Sequence, residues 1–314
     1  MLNIKEKITA ENRYDNIITY DTPAYKPRKR RWGDRKEGRL IKTLPPMSYI
    51  EPYIMKVRAD SQNQFEDVID ITNIENYLQE KRSEGYTDMT LLHILIAAYV
   101  RVVAERPAIN RFIAGQRIYA RNNIECAMTI KKEMSIDSPD TCIKVEFDPR
   151  DNIFNVYKKF QIVAHKSVSE DTDFDETAKI LKKLPRFVLR SAIALLRFLD
   201  YYGHLPKSLL EVSPFHGSMI ITSMGSLGIP AIYHHLYDFG TLPLFISYGS
   251  IFSADALKRD GTRERHHFVT LKVVTDERIC DGYYYASAFK KIKRYLQHPE
   301  LLDETLTEVV EDID

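Results

Sequence analysis

The chain has 314 residues, 44% hydrophobic and 28% charged, with 45 basic residues against 44 acidic ones. That composition suits a globular chain of one large or two ordinary domains with a sizeable core. The near-neutral total gives no argument for a nucleic-acid or membrane partner, and the longest wholly apolar run, Ile94 to Val100, is too short to cross a bilayer.

Charge is unevenly spread. Lys26 to Lys42 carries nine basic residues and two acidic ones, while Asp303 to Asp314 carries six acidic residues and no basic one. Both ends read as solvated tails or docking segments. We therefore expect a basic arm over residues 1–42, one folded domain over 43–302 and an acidic tail over 303–314. Pro23, Pro27, Gly33 and Gly38 break any regular structure in the arm, and Trp32 is its candidate anchor on a neighbouring surface. Met1 to Lys7 lacks the apolar stretch of a signal peptide. Cys126, Cys142 and Cys280 have no metal-site or disulfide spacing and fit a reduced, cytoplasmic setting. No metal is expected.

In chain order, Ser48 to Arg58 is predicted as a helix with Tyr49, Tyr53 and Met55 facing inward. Phe65 to Ile71 is predicted as a strand, and Asn73 as the cap of a helix over Ile74 to Lys81. Thr90 to Glu105 is apolar almost all round and predicts a buried helix. Strands are expected over Gln116–Ala120, Glu125–Lys131 and Thr141–Phe147, with a turn over Ser135–Asp140. Helices follow over Asn152–Ser169, Phe174–Leu184 and Arg186–Tyr202. Met219–Ser223 and Leu242–Ser247 read as strands. Val273 and Val274 close a last buried strand, Asp281-Gly282 reads as a tight turn, and Tyr285, Phe289, Ile292 and Leu296 fall at helical spacing before Pro299.

Three stretches carry a resemblance. Asp276-Glu277-Arg278-Ile279-Cys280-Asp281-Gly282, then a helix and a proline, is similar to the active-site segment of the chloramphenicol acetyltransferase-like superfamily. That superfamily includes the acyltransferase (E2) core of 2-oxoacid dehydrogenase complexes, where the segment reads Asp-His-Arg-x-x-Asp-Gly-Ala. The long apolar helix ending in Pro107-Ala108-Ile109-Asn110 is similar to a second E2 feature. Thr222-Ser223-Met224-Gly225-Ser226-Leu227-Gly228 is similar to a third. The resemblance runs over roughly Leu44 to Leu302. It implies an α/β two-layer sandwich, a mixed sheet covered by helices, in a homotrimer with active-site channels between subunits. Larger assembly or dehydrogenase-complex partners would be compatible with it, and no membrane or nucleic-acid partner is expected. The arm leaves no room for a lipoyl domain, since a folded domain needs at least about 50 residues.

The resemblance implies acyl transfer with coenzyme A, as substrate rather than covalently held cofactor, and an unspecified acceptor. By the same resemblance Ser223 supplies the hydroxyl that stabilises the oxyanion, with Ser226 and Thr222 as alternatives. The other reading of Ser223 is a strand-end hydroxyl bonded to backbone. Asp281 is implied as structural, positioning the loop through an ion pair, and Asp276, Arg278 and Gly282 complete the segment. Where the family has its histidine base, this chain has Glu277. A free carboxyl near ~4.3 facing a thiol near ~8.5 makes proton transfer uphill by roughly 5–6 kcal/mol. Burial would shrink that gap, and a close arginine would widen it. Two functions follow: an acyltransferase with Glu277 or another group as base, or a non-catalytic trimeric scaffold or acyl-CoA-binding subunit. The pairs His234-His235 and His266-His267 read as hydrogen-bonded or surface residues.

Overall fold

A computed structural model of the chain describes residues 28–131, 140–169, 172–257 and 261–314. Its centre is a sheet in the order β2 (Gln62–Asp70), β10 (Arg263–Asp276), β8 (Leu244–Tyr248), β7 (Met219–Ser223), β5 (Ile124–Lys131) and β6 (Asp140–Phe147). A further strand, β9 (Phe252–Leu257), pairs with the first half of β10. β7 lies parallel to β5 and β8, and the other pairs are antiparallel, so the sheet is mixed. A second, three-stranded antiparallel sheet joins β1 (Gly38–Leu40), β4 (Arg117–Arg121) and β3 (Phe112–Ala114).

Strand alternation sorts the residues of the large sheet between two cores. Met219, Ile221, Leu244, Ile246, Leu271 and Val273 face the helices and join the main core. Ile220, Phe245, Val274 and Ala127 face the other way and pack on Leu236 and Leu242. Four helices contribute to the main core: α2 (Thr72–Ser83), α3 (Leu91–Glu105), α4 (Ile153–Ser169) and α8 (Gly282–Gln297). α3 is its axis. Thr90 caps it in a reciprocal capping box with His93, and nearly every side chain from Leu92 to Ala104 is buried. The sequence anticipated this helix because a segment apolar on all sides can only be stable when surrounded.

Several local expectations are corrected. α1 spans Pro46–Ile54, but Tyr49 and Tyr53, expected to face inward, are exposed. Asp70, one residue before the N-cap Ile71, accepts from the Thr72 N–H, while Asn73 lies inside α2 and donates to the Gln297 carbonyl. Asp281-Gly282 is not the turn. The chain turns at Glu277-Arg278, and Asp281 caps α8. Strands β1, β3 and β9 and a short helix α7 (Lys207–Val212) had no counterpart in the sequence reading, being short or weakly patterned. The turn expected over 135–140 lies outside the described residues up to Asp140, which opens β6.

Two helices, α5 (Asp173–Lys182) and α6 (Arg186–Tyr201), follow one another before α7. Only Asp200 of α6 is buried. The acidic segment after Asp303 lies against the body of the chain. Val310 donates its N–H to the Ala104 carbonyl, Asp312 pairs with Arg111 at 2.5 Å, and Asp314 meets Arg28 and Arg39 at 3.0 Å each. Trp32 is 91% exposed in the single chain.

Candidate active site

The motif begins where β10 ends. Thr275 pairs with Leu244 of β8 and Asp276 with Gln62 of β2, so the strand is held on both sides up to its last residue. The next N–H, that of Glu277, donates to the Ser61 carbonyl at 2.9 Å and carries the pairing one step further. Arg278 then folds back on Asp276. Its Nε donates to Oδ1 at 2.8 Å and its Nη2 to Oδ2 at 2.6 Å, and both side chains are 1% exposed. Arg278 Nη1 donates to the Met55 carbonyl at 2.7 Å, which fastens the turn to the end of α1.

Asp276 has further partners that no spacing in the sequence pointed to. Ser61 Oγ lies 3.3 Å from its Oδ1, and Arg58 Nε lies 3.8 Å from its Oδ2. Arg58 also donates to the Ile113 carbonyl at 2.7 Å. Burial brings the Arg58 guanidinium down to about 10, with the Asp276 charge opposing the shift. One carboxylate thus serves two buried arginines. Such a group is held because removing one partner leaves the other charged and unpaired. Its consequence is a rigid turn that presents Glu277.

Glu277 itself is half-buried. Arg278, its neighbour in sequence, is committed to Asp276 and Met55. The group that feels Glu277 is Glu51 of α1. Burial raises the Glu51 carboxyl, and the Glu277 charge raises it further. Glu51 escaped the sequence reading because 226 residues separate it from Glu277 and α1 looked merely structural.

Asp281 has a role different from the expected ion pair. Its carboxylate accepts from the Tyr284 N–H at 2.9 Å and caps α8. Gly282 is the first residue of that helix and has open space where a side chain would stand. Tyr285, one turn on, donates its hydroxyl to the Asp276 carbonyl at 2.9 Å and ties α8 back to the motif. Arg111 adds another tie, donating to the Ile279 carbonyl while holding Asp312.

Ser223 closes β7 beside Tyr248. Its Oγ accepts from the Ser226 N–H at 3.2 Å, and Ser226 Oγ donates to the Ser223 carbonyl at 2.8 Å. The Ser226 proton is therefore used within the loop, and the Ser223 hydroxyl faces the Tyr248 phenol, to which it hydrogen-bonds. Thr222 pairs within the sheet opposite Ser247. The loop needs its glycines, since a Cβ on Gly225 would stand 2.5 Å from the Gly249 carbonyl oxygen.

Within one chain the two halves of this constellation are far apart. Ser223 is level with Tyr248, and Tyr248 is level with Leu271 of β10. Glu277 lies six residues further along β10, at the other end of the sheet, or roughly 20 Å away at ~3.3 Å per residue. The fold brings together Glu277, Glu51, Asp276, Arg278 and Arg58, and leaves Ser223 at the opposite edge.

The paired histidines are also placed. His266 contacts Asp70 at 2.5 Å, and His267 pairs with Glu75. The segment of His234 and His235 runs past the motif, because the Leu236 N–H donates to Oε1 of Gln62, the pairing partner of Asp276. His234 stacks on Phe245 at 4.4 Å, and burial, then the neighbouring His235, pushes its imidazole toward the neutral form. A cavity of about 290 Å³ opens beside the motif, lined by Lys56, Arg58, Arg197 and Arg278 with Asp200 and Asp238. Among the described residues no cluster of His, Cys, Asp and Glu has the arrangement of a metal site.

No family model matches the sequence, and no curated protein matches it. Solved structures do. A probable dihydrolipoamide acetyltransferase from Listeria monocytogenes superposes with a TM-score of 0.53 at 16% identity, over 82% of this chain and 94% of that one. The dihydrolipoamide acetyltransferase (E2p) of Azotobacter vinelandii gives 0.50 at 13% identity, over 83% and 93%. The chain therefore has the fold of the acyltransferase (E2) core, the chloramphenicol acetyltransferase-like α/β sandwich that its three motifs resembled.

Proposed function

We propose that this protein is a coenzyme A-dependent acyltransferase that works as a ring of identical subunits, each site drawing Glu277 and Glu51 from one chain and Ser223 from the next. The observation that carries the reading is the sheet register. The locked turn at Glu277 and the Ser223 loop sit at opposite ends of the same strands. Each is flanked by exposed apolar side chains. Met47, Tyr49, Ile50 and Ile54 lie on α1 beside Glu277, and Leu227, Ile229 and Ile232 follow Ser223. Two unlike patches at opposite ends suit a head-to-tail contact that closes into a ring, in keeping with a trimer.

In such a site the Glu277 carboxylate takes the proton of the acceptor, and the acceptor atom attacks the thioester carbonyl. The Ser223 O–H donates to the oxyanion of the tetrahedral intermediate. The C–S bond then breaks, and Glu277 returns the proton to the departing thiolate. Glu51 is a positioning residue beside Glu277, its own carboxyl raised by burial and then by the Glu277 charge.

The second reading is a ring that binds acyl-CoA without turnover, favoured by the carboxylate where the superfamily has an imidazole. Calorimetric titration with coenzyme A and acetyl-CoA tests the shared part. Saturable binding at one site per subunit is expected, and its absence at millimolar ligand would overturn both catalytic and ligand-binding readings. Glu277→Gln then separates them. Turnover that disappears in the variant while binding persists supports the acyltransferase, and turnover that survives excludes Glu277 as the base.

A further inference from the structure

We propose that the exposed face of α6, with the lysines that precede it, is a docking face for an anionic lipid surface, on which the protein lies without spanning it. From Thr177 to Leu199 the chain has no acidic residue. Lys182, Lys183, Arg186, Arg190 and Arg197 are all exposed, and among the described residues their side chains make no salt bridge or hydrogen bond. The same surface is apolar. Phe187, Ile180, Phe198 and Leu195 are 74%, 64%, 59% and 57% exposed, among the most open apolar side chains of the chain.

The helical period combines these features on one side. At about 100° per residue, Arg186, Arg190 and Arg197 share an arc of about 40°. Ala194, Phe187, Phe198 and Leu195 fill the adjoining arc, while Val188, Leu189, Ala192, Ile193, Leu196 and Leu199 occupy the opposite arc and are half-buried. A cationic stripe beside an aromatic stripe on a helix held at its C-terminal end, through Asp200 and Tyr201, is the arrangement of an interfacial helix. Phe and Leu enter the headgroup boundary, while the arginines extend their charges to lipid phosphates.

Charge decides among the occupants. An isologous contact, in which two copies present this same face to each other, would set these cations against their own counterparts, whereas an anionic leaflet gains from each of them. Among the described residues no helix is long and apolar enough to cross a membrane, so the contact is one of lying on the surface. The sequence expectation of no membrane partner was based on spanning runs, which this mode does not need.

The test is flotation of the full chain with vesicles of phosphatidylcholine alone and of equimolar phosphatidylcholine and phosphatidylglycerol. The protein should float with the anionic vesicles, remain behind with the neutral ones, and be released as salt is raised. Arg186→Glu with Arg190→Glu should weaken partitioning by ~25-fold or more, at roughly fivefold for each lost cation. Phe187→Ser with Phe198→Ser should weaken it at low salt as well. All four positions are exposed, so the thermal midpoint should not move, and the readout does not depend on turnover. Equal behaviour on both vesicle types would overturn the proposal, as would unchanged partitioning of the Phe187→Ser/Phe198→Ser protein. A wild-type chain that ignores both vesicles but loses a self-association through the phenylalanine changes would assign the face to a second copy instead.

Discussion

If each active site takes Ser223 from one subunit and Glu277 from its neighbour, two dead proteins should make a live one. Ser223→Ala removes an oxyanion donor, a loss of about 10²–10³ in turnover, and Glu277→Gln removes the base. Within one chain the two positions are separated by six residues of β10, or roughly 20 Å, so neither variant can complete a site alone. In a ring assembled from equal amounts of both chains, a site is intact when a Glu277→Gln chain offers its serine to a Ser223→Ala chain. Random mixing makes about one quarter of the sites intact. Co-expressed chains carrying different affinity tags, purified through both so that every trimer is mixed and has one intact site in three, should release coenzyme A thiol from acetyl-CoA at about a third of the wild-type rate. Each single variant should stay near the background. Mixed assemblies no more active than the better single variant would refute the shared site.

The buried group around Asp276 makes a stability prediction. Asp276→Asn leaves Arg278 and Arg58 without their anion in a site that excludes water, and should cost about 3–5 kcal/mol, read from urea unfolding. Arg278→Met should cost less, because Asp276 keeps Arg58 at 3.8 Å as its counter-charge. His93 governs part of the acid response. Burial holds its imidazole down to about 4, against an ordinary value near 6.5, so the unfolded chain takes up the proton first as pH falls. The native state therefore keeps its full His93 contribution above ~6.5 and loses up to about 3 kcal/mol on acidification toward about 4. His93→Gln should flatten the dependence of unfolding free energy on pH over that window, and an unaltered slope would contradict the assignment. Gly225→Ala should displace the Ser223 loop, lowering turnover far more than coenzyme A affinity, since its Cβ would meet the Gly249 carbonyl.

The sequence carried the fold through a few strong signals. Leu91 to Glu105 has no polar stripe, so it could only be a central helix, and it is one. Val273 and Val274 followed by the period of α8 marked the last strand and helix to within a few residues. The weak points were ends and turns. Asp281-Gly282 reads as a turn in isolation, yet Asp281 caps a helix because the chain has already reversed at Glu277-Arg278, pulled round by the buried pair. Tyr49 and Tyr53 read as inward-facing because they are aromatic, and no local rule says that the single chain leaves α1 uncovered.

What the sequence determined by itself was the set of chemical groups and the order of elements: a carboxylate at 277, a hydroxyl at 223, and a buried helix to build around. These follow from residue type and periodicity, which act over a few neighbours. Tertiary structure alone decided which charges meet. Glu51, Arg58 and Ser61 reach the motif from across more than two hundred residues, and Arg278 turns away from Glu277 toward Asp276. It also decided that Ser223 and Glu277 face opposite ends of one sheet. Electrostatic partnership depends on separation in space and on the water excluded between charges, and strand register fixes both in ways that no local spacing records.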